Sequence, residues 1–357
     1  MRCVKAPSAI DPGAPDRARL ESVQHLGRRF PNAQLRQVPV VRAGELDARA
    51  DASGSTRVWL ALESLQVTGS FKARGALVAL DAQRSRSAPL SAERAEPDRG
   101  RIVAASAGNH GAAVSYAASI LGLRATVVVP RTAPGAKRDK IARWGAELVV
   151  AESDNYDDAE ALAKEIAVRE RVTFVSAYDD VDVVLGNGAS LGFEIVRALG
   201  GVPERVLAPF GGGGLATGLG WALAAESRDA SDRSVWGVQS EASCAMAMSL
   251  ERGAAVERLE TGGSTIAEGL EGGIAADAFA RARAAVAGVV VVPEERIAKA
   301  MAFAFRDLGL VLEGSAAVAL VPLLAGLPAP LRGGDLVAVL TGRNVDPARL
   351  ERALESA

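Results

Sequence analysis

The stretch Arg205-Val206-Leu207-Ala208-Pro209-Phe210-Gly211-Gly212-Gly213-Gly214-Leu215 runs from a short apolar segment, through four consecutive glycines, to the start of a helical pattern over 216–226. A short apolar run stopped by glycine and followed by a helix reads as a strand-turn-helix unit. Four glycines lose much backbone entropy on folding, which makes sense where something must come close to the main chain. The N–H groups of such a turn, with the positive end of the helix behind it, suit an anion. A phosphate is the natural occupant.

The pattern of strand and helix repeats. Short β-branched runs at 101–104, 125–129, 147–150, 172–175, 205–208, 234–238, 289–292 and 336–340 alternate with helical patterns such as 136–144 and 155–169. That alternation predicts parallel sheets covered by helices on both faces, an α/β fold. At 357 residues the chain is long enough for two lobes. A polar connector at 83–100, rich in Ser, Arg, Ala and Pro, marks one expected boundary, and a second is expected near Ser176. The opening segment to about Pro31 reads as a polar tail with a short amphipathic helix.

Composition narrows the function. Hydrophobic residues make up 49%, charged residues 24%, and the formal net charge is -2, so there is no basic field for nucleic acid and small-molecule ligands are the default. Cys3 and Cys244 are the only cysteines and His25 and His110 the only histidines, which leaves no set of soft ligands for a structural zinc and no disulfide framework. The expected compartment is a reducing cytoplasm, with no metal. Residues 1–30 lack an apolar signal core, and no later segment runs long enough without charge to span a bilayer. The protein is expected to be neither secreted nor membrane-inserted.

Lysine is scarce beside arginine, occurring only as Lys5, Lys72, Lys137, Lys140, Lys164 and Lys299, so a lysine within a motif is less incidental here. In Thr68-Gly69-Ser70-Phe71-Lys72-Ala73-Arg74-Gly75-Ala76 the lysine stands beside an aromatic ring at a helix start, a candidate amine for condensation with a cofactor aldehyde. The plainer alternative is a helix-start lysine with its head in water. Ser106-Ala107-Gly108-Asn109-His110-Gly111 lies between a strand and the helical pattern 112–121, where backbone N–H groups can meet a carboxylate; alone it could equally be an ordinary turn. Thr341-Gly342-Arg343-Asn344 ends the last strand and offers a hydroxyl to a ring nitrogen. A neutral partner leaves a pyridine nitrogen mostly unprotonated and the ring a weaker electron sink, which suits elimination better than transamination. The glycine run also fits a dinucleotide-binding pattern through Gly211, Gly213 and Ala216. A nicotinamide-dependent dehydrogenase is therefore a rival, but it leaves Lys72 and the other motifs unexplained.

The order, spacing and identity of these motifs resemble the fold-type-II pyridoxal 5'-phosphate (PLP) enzymes, most closely the threonine/serine dehydratases or ammonia-lyases, from about Val38 to Asp346. The likeness includes Glu63-Ser64-Leu65-Gln66, Pro134-Gly135-Ala136-Lys137 with Gly145-Ala146-Glu147, Asp179-Asp180 followed by Gly186-Asn187-Gly188, Thr265-Ile266-Ala267-Glu268-Gly269, and Glu313-Gly314-Ser315-Ala316-Ala317. It implies a two-domain α/β fold of the tryptophan synthase β type, with parallel and mixed sheets covered by helices. The expected organisation is a polar tail over 1–30, a large PLP-binding domain from 31–95 and 176–357, and a small domain over 96–175.

The resemblance also implies roles. Lys72 looks like the lysine that condenses with the cofactor and later takes the α-proton, with Phe71 packed on the ring. Asn109 is similarly placed to bond the cofactor 3-hydroxyl, Gly211, Gly212, Gly213 and Gly214 to cradle the phosphate, and Thr341 to meet the pyridine nitrogen. The backbone of Ser106, Ala107, Gly108, Asn109 and His110 would take the substrate carboxylate. The implied activity is β-elimination from a β-hydroxy amino acid, foremost L-threonine or L-serine, giving a 2-oxo acid and ammonia. The implied partners are the amino-acid substrate and a second copy of the chain in a homodimer. Other readings remain open: a lyase for 3-hydroxyaspartate or an ectoine-catabolism intermediate, β-replacement like that of threonine synthase, or an idle PLP-binding homologue.

Departures from the pattern matter too. Ala107 stands where racemases of this fold carry an acid/base serine, which disfavours racemisation. Gln239, Ser243 and Ala245 fall where such members hold a divalent cation, without the carboxylates. Arg343 replaces a glycine, and either faces inward toward a distal substrate carboxylate or outward toward a surface partner.

Overall fold

The computed structural model describes residues 1–7, 13–86, 100–229, 233–259 and 265–356. The strands, in chain order, are β1 (Arg2–Lys5), β2 (Val40–Arg42), β3 (Thr56–Ala61), β4 (Arg101–Ala105), β5 (Arg124–Val129), β6 (Glu147–Val150), β7 (Thr173–Phe174), β8 (Arg205–Pro209), β9 (Val235–Ser240), β10 (Gly288–Val292) and β11 (Gly334–Val339). They form two sheets in two compact units.

The first unit comprises Met1–His25, Arg36–Phe71 and Gly188–Ala357. Its sheet has the order β1-β10-β9-β8-β11-β3-β2. The central pairs are parallel, and only the edge strands β1 and β2 run antiparallel to their neighbours. Strands buried on both faces read as continuous apolar runs, and β9 and β10 are buried along their whole length. Alternate residues go to opposite faces. Val58, Leu60, Leu207, Val290, Val292, Leu336 and Ala338 enter one apolar cluster, whereas Ala61, Val206, Ala208, Val289, Val291, Val337 and Val339 enter the other.

The second unit comprises Leu26–Leu35 and Lys72–Asn187, around an all-parallel sheet of order β6-β5-β4-β7. The helices Lys72–Arg86 and Asn109–Leu121 pack on each other, and Tyr156–Glu170 covers β4 and β5. The small domain expected at 96–175 is thus set in a larger compact unit. The helix Lys72–Arg86 joins it because its first half, buried all round from Ala73 to Leu80, packs on the helices Asn109–Leu121 and Val181–Val184. Most of the polar connector expected at 83–100, from 87 to 99, lies outside the described residues.

The opening segment differs from the expected polar tail. Arg2–Lys5 adds an edge strand to the first sheet, with Cys3 opposite Val290, and Leu26–Leu35 belongs to the second unit. Four residues with charged ends carry too little alternation to be read as a strand; the ladder of β10 supplies what the sequence lacks. The expected short helix is present as Arg17–Glu21, capped by the Asp16 side chain on the Arg19 N–H. Among the described residues, no helix is long and apolar enough to cross a membrane.

Candidate functional site

In the first unit, β8 ends at Pro209 and the helix Gly214–Glu226 begins five residues later in the sequence, so the glycines fill the turn. Gly213 has φ 90°, a left-handed conformation that a side chain would strain. Among the described residues, no backbone carbonyl accepts from the N–H groups of Gly211, Gly212 or Gly213. With the first turn of a 13-residue helix they make a row of donors toward which the helix dipole adds positive potential.

The segment after β11 is tied to the segment before Lys72. The Phe71 N–H donates to the Thr341 carbonyl (3.1 Å), the Arg343 N–H to the Gly69 carbonyl (2.9 Å), and Ser70 and Gly342 form an antiparallel bridge. The Asn344 side-chain amide donates to the Thr68 carbonyl at 2.9 Å. Thr341 is buried, and the Ser70 hydroxyl is buried with no hydrogen-bond partner. A donor left without a partner in so dry a place is what a bound polar group would satisfy. Arg343 donates to the Ser64 carbonyl, with its pKa lowered by burial and then by Arg36. That carbonyl lies within the short helical turn Glu63–Leu65, whose closing bonds are accepted by Leu62 and Glu63, so the guanidinium satisfies a carbonyl near its end.

Gln239 and Ser243, at positions that resemble a cation site, spend their polar atoms on backbone. Gln239 donates to the Phe210 carbonyl and accepts from the Ala247 N–H, and Ser243 donates to the Leu270 carbonyl. Their polar atoms hold the local backbone together. Among the described residues, no cluster of three or more His, Cys, Asp or Glu side chains could hold a metal ion.

In the second unit, Lys72 opens its helix, and its Nζ lies 3.5 Å from the Ala177 carbonyl oxygen and 4.9 Å from the centroid of the Tyr178 ring. The turn at 106–111 joins β4 to the helix Asn109–Leu121. Its Ser106 hydroxyl accepts from the Gly108 N–H at 3.1 Å, Ala107 packs against the apolar cluster that contains Val127 and Ile141, and Asn109 begins the helix. His110 is 4% exposed, and its Nε2 lies 3.2 Å from the Val175 carbonyl oxygen. A carbonyl only accepts, so Nε2 carries the proton and Nδ1 is a bare acceptor, buried without a partner. Burial, and then the charge of Lys72, pushes the imidazole pKa down to about 3. His110 is neutral at physiological pH.

A family model described as "Pyridoxal-phosphate dependent enzyme" matches residues 32–342. The L-threonine ammonia-lyase of Thermotoga maritima is 38% identical over 83% of this chain and 69% of its own length. A catabolic L-threonine dehydratase of Escherichia coli is 35% identical over 83% of this chain and 85% of its own. The chain is a PLP-dependent enzyme of the threonine/serine dehydratase family. Its fold agrees. The processed form of threonine deaminase isoform 2 from Solanum lycopersicum superposes with a TM-score of 0.80 at 25% identity, covering 99% of this chain and 91% of that one.

The residues of this PLP enzyme suit its cofactor. The unspent N–H donors of the glycine turn would suit a phosphate, and the neutral hydroxyl of Thr341 would suit an unprotonated ring nitrogen. Lys72 has a primary amine that would suit condensation with the cofactor aldehyde. Within the first unit the structure brings Phe71 and Thr341 together; within the second it gathers Lys72, His110 and the turn 176–179. Tyr178 and Ala177 were not singled out from the sequence as neighbours of Lys72. The adjoining Asp179-Asp180 pair was the only signal near them, and it carries no sign that an aromatic ring faces a lysine far earlier in the chain.

Proposed function

We propose that this enzyme converts L-threonine or L-serine to the corresponding 2-oxo acid and ammonia. The observation that carries the reading is the pairing of segments 68–71 and 341–344. It holds the residue before Lys72 against the residue whose hydroxyl would face a pyridine nitrogen. Bound PLP supplies an electrophilic carbon and an electron-accepting ring that acidifies the α-C–H of an amino acid.

The chain's own residues do the rest. Lys72 Nζ would anchor the cofactor and, as a free amine, would accept the α-proton of the substrate. The N–H groups of Gly211 to Gly214 hold the phosphate. Asn109 would hold the cofactor at its 3-hydroxyl, and Thr341 would partner the ring nitrogen with a neutral hydroxyl. The backbone from Ser106 to His110 takes the substrate carboxylate, and Ala107 offers no proton to the opposite face. With Lys72 able to return the proton it has taken to the departing β-hydroxyl, and no donor on the opposite face, loss of water is favoured over racemisation. The released enamine takes water back and yields the 2-oxo acid and ammonium.

Borohydride reduction of the loaded protein should leave a cofactor adduct on the peptide bearing Lys72. Lys72→Ala should lose that adduct and at least about 10²–10⁴-fold in turnover of both substrates, the usual contribution of a general base alone. An adduct on another lysine, or turnover that survives the substitution, overturns the assignment. Rapid formation of D-serine would overturn the absence of a second proton donor.

A further inference from the structure

The turn that meets Lys72 contains a ring with no part in the chemistry so far. Tyr178 presents its face to the Lys72 Nζ at 4.9 Å, and the neighbouring Ala177 carbonyl oxygen lies at 3.5 Å. The turn is fixed from within: the Ser176 hydroxyl accepts from the N–H groups of Tyr178 (3.4 Å) and Asp179 (3.3 Å). An ammonium is drawn to the negative face of an aromatic ring, more strongly as water is excluded, and a carbonyl oxygen accepts from it. A neutral amine gains much less from either.

The ionisable groups around the pair leave this preference intact. His110, on the helix Asn109–Leu121, is held neutral by burial and does not repel a second positive charge. Burial, with Glu160 and Asp179 behind it, pushes the Tyr178 phenol up, so the ring is uncharged as well. Tyr156, on the helix Tyr156–Glu170, donates to the Ala105 carbonyl and is pushed up in the same way.

We propose that Tyr178 is a positioning residue: its ring receives the ε-ammonium of Lys72 after the α-proton arrives and holds it beside the Ala177 carbonyl. In that step the Nζ lone pair forms the new N–H bond, and the electron pair of the broken C–H bond stays with the substrate. The proposal rests on Lys72 acting as the base. It adds a reason why the freed lysine does not swing into solvent.

Tyr178→Phe keeps the ring face and Tyr178→Leu removes it. In full-length protein stripped of cofactor, pH-dependent trace acetylation read by mass spectrometry gives the protonation midpoint of Lys72, with the other lysines as internal references. Tyr178→Leu should lower that midpoint by about one pH unit, a tenfold change in proton affinity. Tyr178→Phe should leave it in place. Simple exposure of the lysine would raise the high-pH labelling rate without moving the midpoint. In loaded enzyme, Tyr178→Leu should lower kcat about tenfold with KM within twofold, and Tyr178→Phe should stay within twofold in both.

An unmoved Lys72 midpoint in Tyr178→Leu overturns the proposal, as does a loss in Tyr178→Phe equal to that in Tyr178→Leu. If Tyr178→Leu does not fold, Tyr178→Trp supplies the test, since a larger ring should hold or raise the midpoint and a fall would count against the idea. Failure of the underlying reading shows separately, as unmodified loaded protein that gives no borohydride adduct on Lys72.

Discussion

The turns at 211–214 and 106–111 share a plan and differ in content. Each follows the end of a parallel strand and leads into a helix of 13 residues. At 211–214 every residue is glycine, so a bound group meets only backbone. At 106–111 the side chains of Ser106, Asn109 and His110 remain, and glycine is required where the helix folds back: a Cβ on Gly111 would press into the Ser106 carbonyl oxygen. A backbone cradle recognises charge and shape. A turn with side chains also sets which atoms donate and which accept.

The largest effect should come from placing a charge in the backbone cradle. Gly212→Asp should weaken PLP binding by at least about 100-fold in a fluorescence titration, since two like charges at about 4 Å repel by about 4 kcal/mol at an effective dielectric of 20. Unchanged affinity would break the contrast, because the cradle would then not be meeting the phosphate. Tight NAD binding in place of PLP would transfer it to another ligand altogether.

His110 tests the side-chain turn through stability. Its folded pKa of about 3 lies below the ordinary 6.5, so the unfolded chain binds the proton more readily. The stability it contributes is complete above pH 6.5 and falls as pH drops from there toward 3. His110→Gln should flatten the acid dependence of urea unfolding by up to about 1.4 kcal/mol per pH unit across that window. A slope that survives the substitution would place the acid sensitivity elsewhere.

Asn109 should give the smallest change and sharpen the comparison most. Asn109→Ala removes one side-chain hydrogen bond, about 0.5–1.5 kcal/mol, so kcat/KM should fall roughly threefold to tenfold. The absorption maximum of the bound cofactor should move while its affinity changes no more than the rate does. A loss of affinity as large as that of Gly212→Asp would mean that both turns hold the cofactor in the same way.

The strand-turn-helix at the glycines and the helix start at Lys72 were legible because their signals are local. Four glycines between a strand and a helix, or a lysine between Phe71 and a helical run, lie within a few residues and encode their own geometry. The strand β1 was not legible, since Arg-Cys-Val-Lys acquires its extended form only from β10. Arg343 left two directions open on sequence grounds. The structure turns it onto the Ser64 carbonyl, a choice made by a turn remote in the chain.

The sequence by itself determined the alternation of strands and helices and the family, because periodicity, turn glycines and motif spacing are properties of neighbouring residues. Tertiary structure alone decided which polar atoms find partners. It placed Tyr178 over Lys72, assigned the proton of His110 to Nε2 through the Val175 carbonyl, and used the polar atoms of Gln239 to pin Phe210 and Ala247. Such choices depend on distances between segments far apart in the chain, and these exist only once the sheets and helices have packed.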